Sequence, residues 1–312
     1  MSSPPALIVL SHLRWDFVFQ RPQHLMTRLA RDYRVYFVEE PLRSDGAPRI
    51  ELHRPAPNLT ICRPHTPVAS PGFHDDQLPA MEMLLEGLVE QESVSDPIVW
   101  LYTPMALPLA QKLNPRALVY DCMDELSAFL NAPRQLLQRE SALLRAADLV
   151  FTGGPSLYEA KRNRHPDVHC FPSSVDVAHF ERAAGPVDEA PEQAALPHPR
   201  LGFYGVIDER LDLSLIDAIA TAHRDWQIVL VGPVVKIDPA SLPQGPNLHY
   251  YGQQSYERLP DFLAGWDVCL LPFALNDATR FISPTKTLEY MAAGKPVVST
   301  PIRDVAEPYS HL

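Results

Sequence analysis

A chain of 312 residues is long enough for about two domains of ordinary size, and an apolar share of 46% suits a globular protein. No run approaches the ~20 apolar residues that cross a bilayer. A formal charge of −11 argues against nucleic acid as a partner, because phosphate contacts need clustered Lys and Arg. The opening Met-Ser-Ser-Pro-Pro lacks the basic start and apolar core of a leader, so the expected location is the cytoplasm. Cys62, Cys122, Cys170 and Cys269 are far apart, form no CxxC pair, and three of them lie in apolar runs. Reduced thiols are expected, rather than disulfides or zinc ligands.

Short apolar runs alternate with amphipathic stretches, the pattern of α/β units around parallel sheets. In the first half the runs predict strands at 6–11, 34–39, 97–102, 117–121, 148–152 and 168–171. Helices are predicted at 21–32, 77–92, 104–113, 133–147 and 155–163. The first strand leads into Ser11-His-Leu-Arg-Trp-Asp16, and Gln20-Arg-Pro-Gln-His24 opens the first helix. Arg14, Asp16, Arg21 and His24 therefore point toward an interdomain crevice if two domains face each other. Another strand ends in Val119-Tyr-Asp-Cys-Met-Asp-Glu125, where Asp121 and Asp124 are candidates for acid–base work or for acceptor hydroxyls. His24 joins them as a catalytic candidate. Plainer readings are a packing histidine at 24 and a helix-capping carboxylate at Asp124.

Residues 183–199, rich in Ala, Pro and Glu and without apolar periodicity, read as a linker between a first domain at 1–182 and a second at 200–312. The second series is strand 201–205, helix 212–223, strand 227–232, strand 247–251, helix 256–264, strand 267–271, helix 284–293 and strand 296–299. Gly232 follows a strand at the carboxyl edge, where open α/β sheets bind ligands. Tyr250 or Tyr251, at the end of the next strand, is placed to stack on a base, although a core role suits either equally well. Neither GxGxxG nor GxxxxGK[ST] occurs, which counts against a dinucleotide oxidoreductase and a P-loop kinase.

The stretch from Phe281 to Thr300 is the most informative. Ser283-Pro284-Thr285 predicts a capped helix start, with proline in the first turn, where its missing N–H costs nothing. Lys286, Glu289 and Tyr290 then fall within about one turn of each other. Free N–H groups and a lysine at a helix start make a phosphate site, and a carboxylate one turn on can accept both hydroxyls of a ribose. The combination suggests a nucleotide diphosphate.

The string SPTKTLEYMAAGKPVVSTP resembles the donor-binding segment of GT-B glycosyltransferases. Residues 247–273 resemble the strand-turn-helix-strand that precedes the donor site in that group, and 145–180 the end of its first domain. The opening SHLRWDFVFQRPQHLMTRLA is similar to bacterial transferases of the teichuronic-acid and exopolysaccharide type. The resemblance implies two Rossmann-like domains facing a cleft, the second holding a UDP- or GDP-sugar and the first the acceptor. It implies no permanently bound cofactor. Thr285 and Ser283 join Lys286 and Glu289 at the donor.

Departures from the family pattern matter. The second Glu usual eight positions before Glu289 is Phe281 here, and the usual Arg after the first strand of the second domain is Val206. Arg210 or Arg280 is left to substitute, beside Gly205. The second domain is also shorter than the resemblance implies, which suggests a fragment or a minimal form.

No Asp-x-Asp motif occurs, so a metal-independent transferase is expected, and the resemblance implies a retaining one. The acceptor expected is a saccharide, a lipid-linked saccharide or a small molecule. Arg28, Arg31 and Arg34 leave a peripheral membrane contact open. Two rival readings stand beside this one: a GT-B-fold sugar-nucleotide epimerase, and a truncated, non-catalytic nucleotide-sugar binder.

Overall fold

The computed structural model describes residues 4–130 and 132–311, so the expected domain limits at 1 and 312 lie outside the described residues. Two compact units emerge. One runs through Ser127 and resumes up to Phe171; the other holds Ala128–Leu130 and everything from Pro172 onward.

The first unit contains β1 (Ala6–Ser11), α1 (Arg21–Leu29), β2 (Arg34–Glu39), β3 (Leu42–Arg43), β4 (Arg49–Ala56), β5 (Leu59–Thr66) and α2 (Leu78–Gln91). It continues with β6 (Ile98–Leu101), α3 (Leu107–Lys112), β7 (Ala117–Cys122), α4 (Gln135–Ala146), β8 (Leu149–Thr152), α5 (Pro155–Lys161) and β9 (Val168–Cys170). Its sheet runs β3-β5-β2-β1-β6-β7-β8-β9, with β4 paired antiparallel to β5. Every residue of β1 is buried, because parallel neighbours flank it and both faces are covered, hence its unbroken apolar run. The predicted strands and helices of this half appear within a few residues of their expected limits.

The sequence reading did not anticipate β4 or β5. Strand β5, flanked by β2 and β4, carries Pro64 between its pairings to β2 and β3, whereas β4 alternates charged and apolar residues on a largely exposed edge and carries Pro55. Edge strands tolerate proline because one side of their backbone needs no ladder partner.

The second unit contains α6 (Val177–Phe180), β10 (Arg200–Tyr204), α7 (Leu213–Ala222), β11 (Gln227–Val231), β12 (Leu248–Tyr250) and α8 (Leu259–Ala264). It ends with β13 (Val268–Leu271), α9 (Thr285–Ala292), β14 (Val297–Ser299) and α10 (Arg303–Tyr309), the last of which the sequence reading left unassigned. The parallel order β12-β11-β10-β13-β14 is doubly wound. The chain leaves β10 for β11 and β12, then crosses to β13 on the other side, which makes the carboxyl edge of β10 a topological switch point.

The segment expected as a linker is instead a strap packed on this unit. Ala190 and Gln193 are fully buried. The Gln193 amide donates to the Phe262 carbonyl at 2.9 Å and accepts from the Trp266 indole at 2.9 Å. The reason is Arg200, only 2% exposed. Its guanidinium donors must be satisfied, and the strap supplies the carbonyls of Ala194 and Leu196 and the carboxylate of Glu189. Composition shows the strap's polarity but not the buried arginine it serves.

None of the four cysteines forms a disulfide. Burial pushes the thiols of Cys62, Cys122 and Cys269 well up, which makes them inert packing groups.

Candidate functional site

In the second unit, α9 begins at Thr285, with Pro284 in extended conformation at the capping position and no side-chain cap. Ser283 thus does not cap the helix as the sequence suggested, and Pro284 lies just outside the first turn rather than within it. An uncapped start leaves first-turn N–H groups for a ligand.

Three features converge there. Gly205 directly follows β10 with φ +137°, and Gly232 directly follows β11 with φ +149°. The two turns are stacked so closely that a Cβ on Gly232 would lie 1.9 Å from the Gly205 carbonyl oxygen. The Lys286 side chain crosses Gly205, where an added Cβ would lie 2.3 Å from Cε and 2.8 Å from Nζ. Glycine is required at both turns, by the left-handed backbone and by the lack of space. Two bare turns, an ammonium group and a helix start at one sheet edge form a cradle suited to an anion.

Glu289 follows one turn along α9 and is 7% exposed. The Tyr204 hydroxyl donates to its Oε2. Burial raises its carboxyl above the ordinary range, while Lys286, the hydroxyls of Tyr204 and Thr285, and the nearby His179 pull it down. Thr285 therefore spends its hydroxyl on Glu289. Tyr290 turns inward, and its hydroxyl oxygen accepts the Tyr204 backbone N–H at 3.2 Å.

The other donor-side candidates are placed as follows. Arg210 is held by Asp208, which is 2% exposed, through Nε at 2.9 and 3.1 Å and Nη2 at 2.7 Å. Its guanidinium also lies 5.4 Å from the centre of the Phe129 ring, and Lys236 lies 4.5 Å from the same ring. Arg280 is exposed and sits 5.2 Å from the Phe281 ring centre. Tyr250 donates to Pro243 O at 2.8 Å and Tyr251 to Glu192 O at 2.7 Å. Sequence reasoning missed Tyr204 and Asp208. The one available signal was their position beside Gly205 at a strand's carboxyl end.

In the first unit, the loop between β1 and α1 is clamped rather than open. Glu39, 1% exposed, accepts from Trp15 N at 2.8 Å and from Arg14 Nη1 at 3.2 Å. Gln23 reaches back to the carbonyls of Trp15 and Val18 at 2.8 and 3.0 Å. Asp16 pairs with Arg63. Asp121 is fully buried, and Arg21 Nε reaches both of its oxygens at 3.1 and 3.0 Å. Burial opposes the Arg21 charge, yet Asp121 holds its pKa above the ordinary value. Arg21 Nη1 also donates to Phe171 O at 2.7 Å. His24 is half-buried on α1, edge-on to Phe19 at 4.7 Å between ring centres. Asp124, also half-buried, follows β7, and its carbonyl receives the Cys122 thiol at 3.5 Å. Arg34 is committed to Glu92 O at 3.1 Å, so the three arginines read as a patch are not alike.

Glu40, the residue after β2, has its carboxyl raised to about 7 by burial, with Arg14 acting in the opposite sense. The folded protein therefore binds a proton that the unfolded chain releases, and stability falls as pH rises through about 7. Glu40→Gln is expected to flatten that fall. Melting temperatures of the variant and the parent at about pH 5 and about pH 8 check it.

Among the described residues, no three His, Cys, Asp or Glu side chains gather as a metal cluster. Among the same residues, no helix is long and apolar enough to cross a membrane.

Residues 198–311 match the family model described as glycosyl transferases group 1. The Bacillus subtilis protein TuaH, described as a teichuronic acid biosynthesis glycosyltransferase, is 25% identical over 237 residues. That match covers 70% of this chain and 59% of TuaH, so the chain spans about three fifths of the relative's length. Among solved structures, sucrose-phosphate synthase of Thermosynechococcus elongatus superposes with a TM-score of 0.71 at 16% identity, over 96% of this chain and 82% of that one. The Escherichia coli trehalose-6-phosphate protein bound with UDP-2-fluoro glucose gives 0.66 at 13% identity, over 96% and 85%. Anabaena HepE, in complex with UDP and glucose, gives 0.63 at 16% identity, over 97% and 82%. Residues 198–311 thus resemble the group 1 glycosyltransferases, and the chain has the GT-B fold of these solved structures.

Proposed function

We propose that the protein transfers a sugar from a nucleotide-diphosphate donor to a saccharide, lipid-linked or small-molecule acceptor. The observation that carries this reading is the convergence of Gly205, Gly232, Lys286 and the uncapped start of α9, one helical turn from the buried Glu289. In this reading the diphosphate lies on the two glycine turns against the Lys286 ammonium and the first-turn N–H groups. The ribose diol donates to Glu289. When the bond from the sugar's anomeric carbon to the diphosphate breaks, negative charge grows on the leaving oxygen, and the lysine and helix end stabilise it. Tyr251, Ser283 and Arg210 complete the donor side.

In the first unit, Asp124 and His24 are proposed for acid–base and acceptor-hydroxyl contacts. Asp121, with both oxygens on Arg21, is proposed to act by fixing that arginine. UDP is the first nucleotide to try, because two structures of the same fold are described with UDP or a UDP-sugar. Departure assisted by lysine and helix needs no metal, and retention of anomeric configuration is proposed from the likeness of the donor segment.

Calorimetry with UDP, GDP, ADP and their glucose conjugates tests the donor site. One nucleotide series is expected to bind, and Lys286→Ala and Glu289→Ala should each weaken it by about tenfold or more, as for lost charge-assisted hydrogen bonds. A folded protein that binds none of them would sink the reading. Turnover unaffected by chelator and NMR of the anomeric product check the metal and the stereochemistry; rescue of chelated enzyme by magnesium would reject metal independence.

A further inference from the structure

We propose that Tyr204 is a positioning residue that fixes Glu289 as an ionised ribose acceptor by donating its hydroxyl to Oε2. The inference rests on the reading that Glu289 holds the donor's ribose. Tyr204 is the last residue of β10, 4% exposed, and immediately precedes the Gly205 turn. Its ring is wedged between neighbours: edge-on to Tyr290 at 5.1 Å, tilted to Trp266 at 6.1 Å and parallel to Phe180 at 6.3 Å. With the ring held on these sides, the hydroxyl has a fixed direction and the carboxylate a fixed rotamer.

Geometry and charge then act together. An ionised carboxylate accepts both ribose hydroxyls, one on each oxygen, whereas the protonated form turns one oxygen into a donor, and burial favours that form. The groups facing Glu289 are Tyr204 from β10, His179 from α6, and Thr285 and Lys286 from its own helix. Tyr204 keeps its proton, since burial and the Glu289 charge both raise its phenol far above the ordinary value. It is therefore a permanent donor that stabilises the anion without competing for it. One oxygen is occupied by the phenol and the carboxylate is oriented for the ligand. The same strand end thus supplies both the bare phosphate turn and the clamp on the ribose carboxylate.

The test is the pH profile of UDP-glucose affinity in wild type, Tyr204→Phe and Glu289→Ala, followed by calorimetry from about pH 5.5 to about pH 8.5, a range in which this probe does not titrate. Removing the phenol favours the protonated carboxyl, so the acid-side loss of affinity should begin at higher pH in Tyr204→Phe. At the acid end that variant should bind about tenfold weaker than wild type, and at the alkaline end within a few-fold. His179 is common to both proteins, so its titration does not produce the difference. A Tyr204→Phe profile superposing on wild type, or displaced equally at every pH, overturns the proposal. If Glu289→Ala also binds normally, the reading of the ribose site itself fails; if Glu289→Ala is lost while Tyr204→Phe is unchanged, only the role of Tyr204 fails. Should Tyr204→Phe not fold, fluorotyrosine incorporation into the wild-type chain gives stronger phenol donors. The onset should then move to lower pH, and an unmoved onset rejects the proposal.

Discussion

Asp121→Asn is expected to cost the protein about 3–5 kcal/mol of stability, because it strands the buried Arg21 guanidinium without a counter-charge. That is a large share of the about 5–15 kcal/mol that holds a typical domain, so urea unfolding should shift strongly or the protein should fail to accumulate. The carboxylate is 0% exposed and the arginine 9%, so water cannot replace either partner. Replacing both together, as in Arg21→Met with Asp121→Leu, should recover much of the loss, since no charge is then left to desolvate. The lone carbonyl of Phe171 would remain the residual cost. An Asp121→Asn protein that melts like the parent yet turns over poorly would instead assign this carboxylate to the chemistry.

Gly232→Ala is expected to abolish nucleotide binding, by about a hundredfold or more, while destabilising the second unit by about 1–3 kcal/mol. The new methyl would sit 1.9 Å from the Gly205 carbonyl oxygen and 2.7 Å from its carbon, both backbone atoms that no side-chain rotation can clear. The two turns must part, and the Lys286 stem packed across Gly205 must move with them. Gly252→Ala is the matched control. Its φ of +61° is also positive, but nothing lies within 4 Å of the added methyl. It should lose only about 1 kcal/mol and keep its ligand. Calorimetry and thermal melts on the pair separate the steric effect from the backbone effect. Equal behaviour of the two variants would mean that the stacked turns do not form the binding surface.

Much of the fold was legible because the signals are local. Unbroken apolar runs such as Ala6–Leu10 and Ile228–Val231 mark strands covered on both faces, and helix limits followed from periodicity and proline placement. Strand β4 escaped because its proline and charges are acceptable only on an edge, and an edge is a property of the assembled sheet. Strand β5 escaped because Pro64 interrupts its apolar run, and only the sheet shows it passing from β2 to β3 around that residue. The strap at 183–199 escaped for a similar reason. Its polar backbone looks like a tether until Arg200 is seen buried against it.

By itself the sequence determined the order of α/β units and the donor-like segment, with Lys286 and Glu289 one turn apart, since helical spacing is set within a few residues. Only the tertiary structure decided which groups meet across long separations. Parallel strand order brought Gly205 and Gly232 together and laid Lys286 across them, and it placed the Tyr204 phenol on Glu289, 85 residues away. It also paired Arg21 with Asp121 across 100 residues, turning two apparent site charges into a buried ion pair. The physical reason is that desolvated charges and donors must be satisfied by whatever the packed core brings near, and no local pattern records that choice.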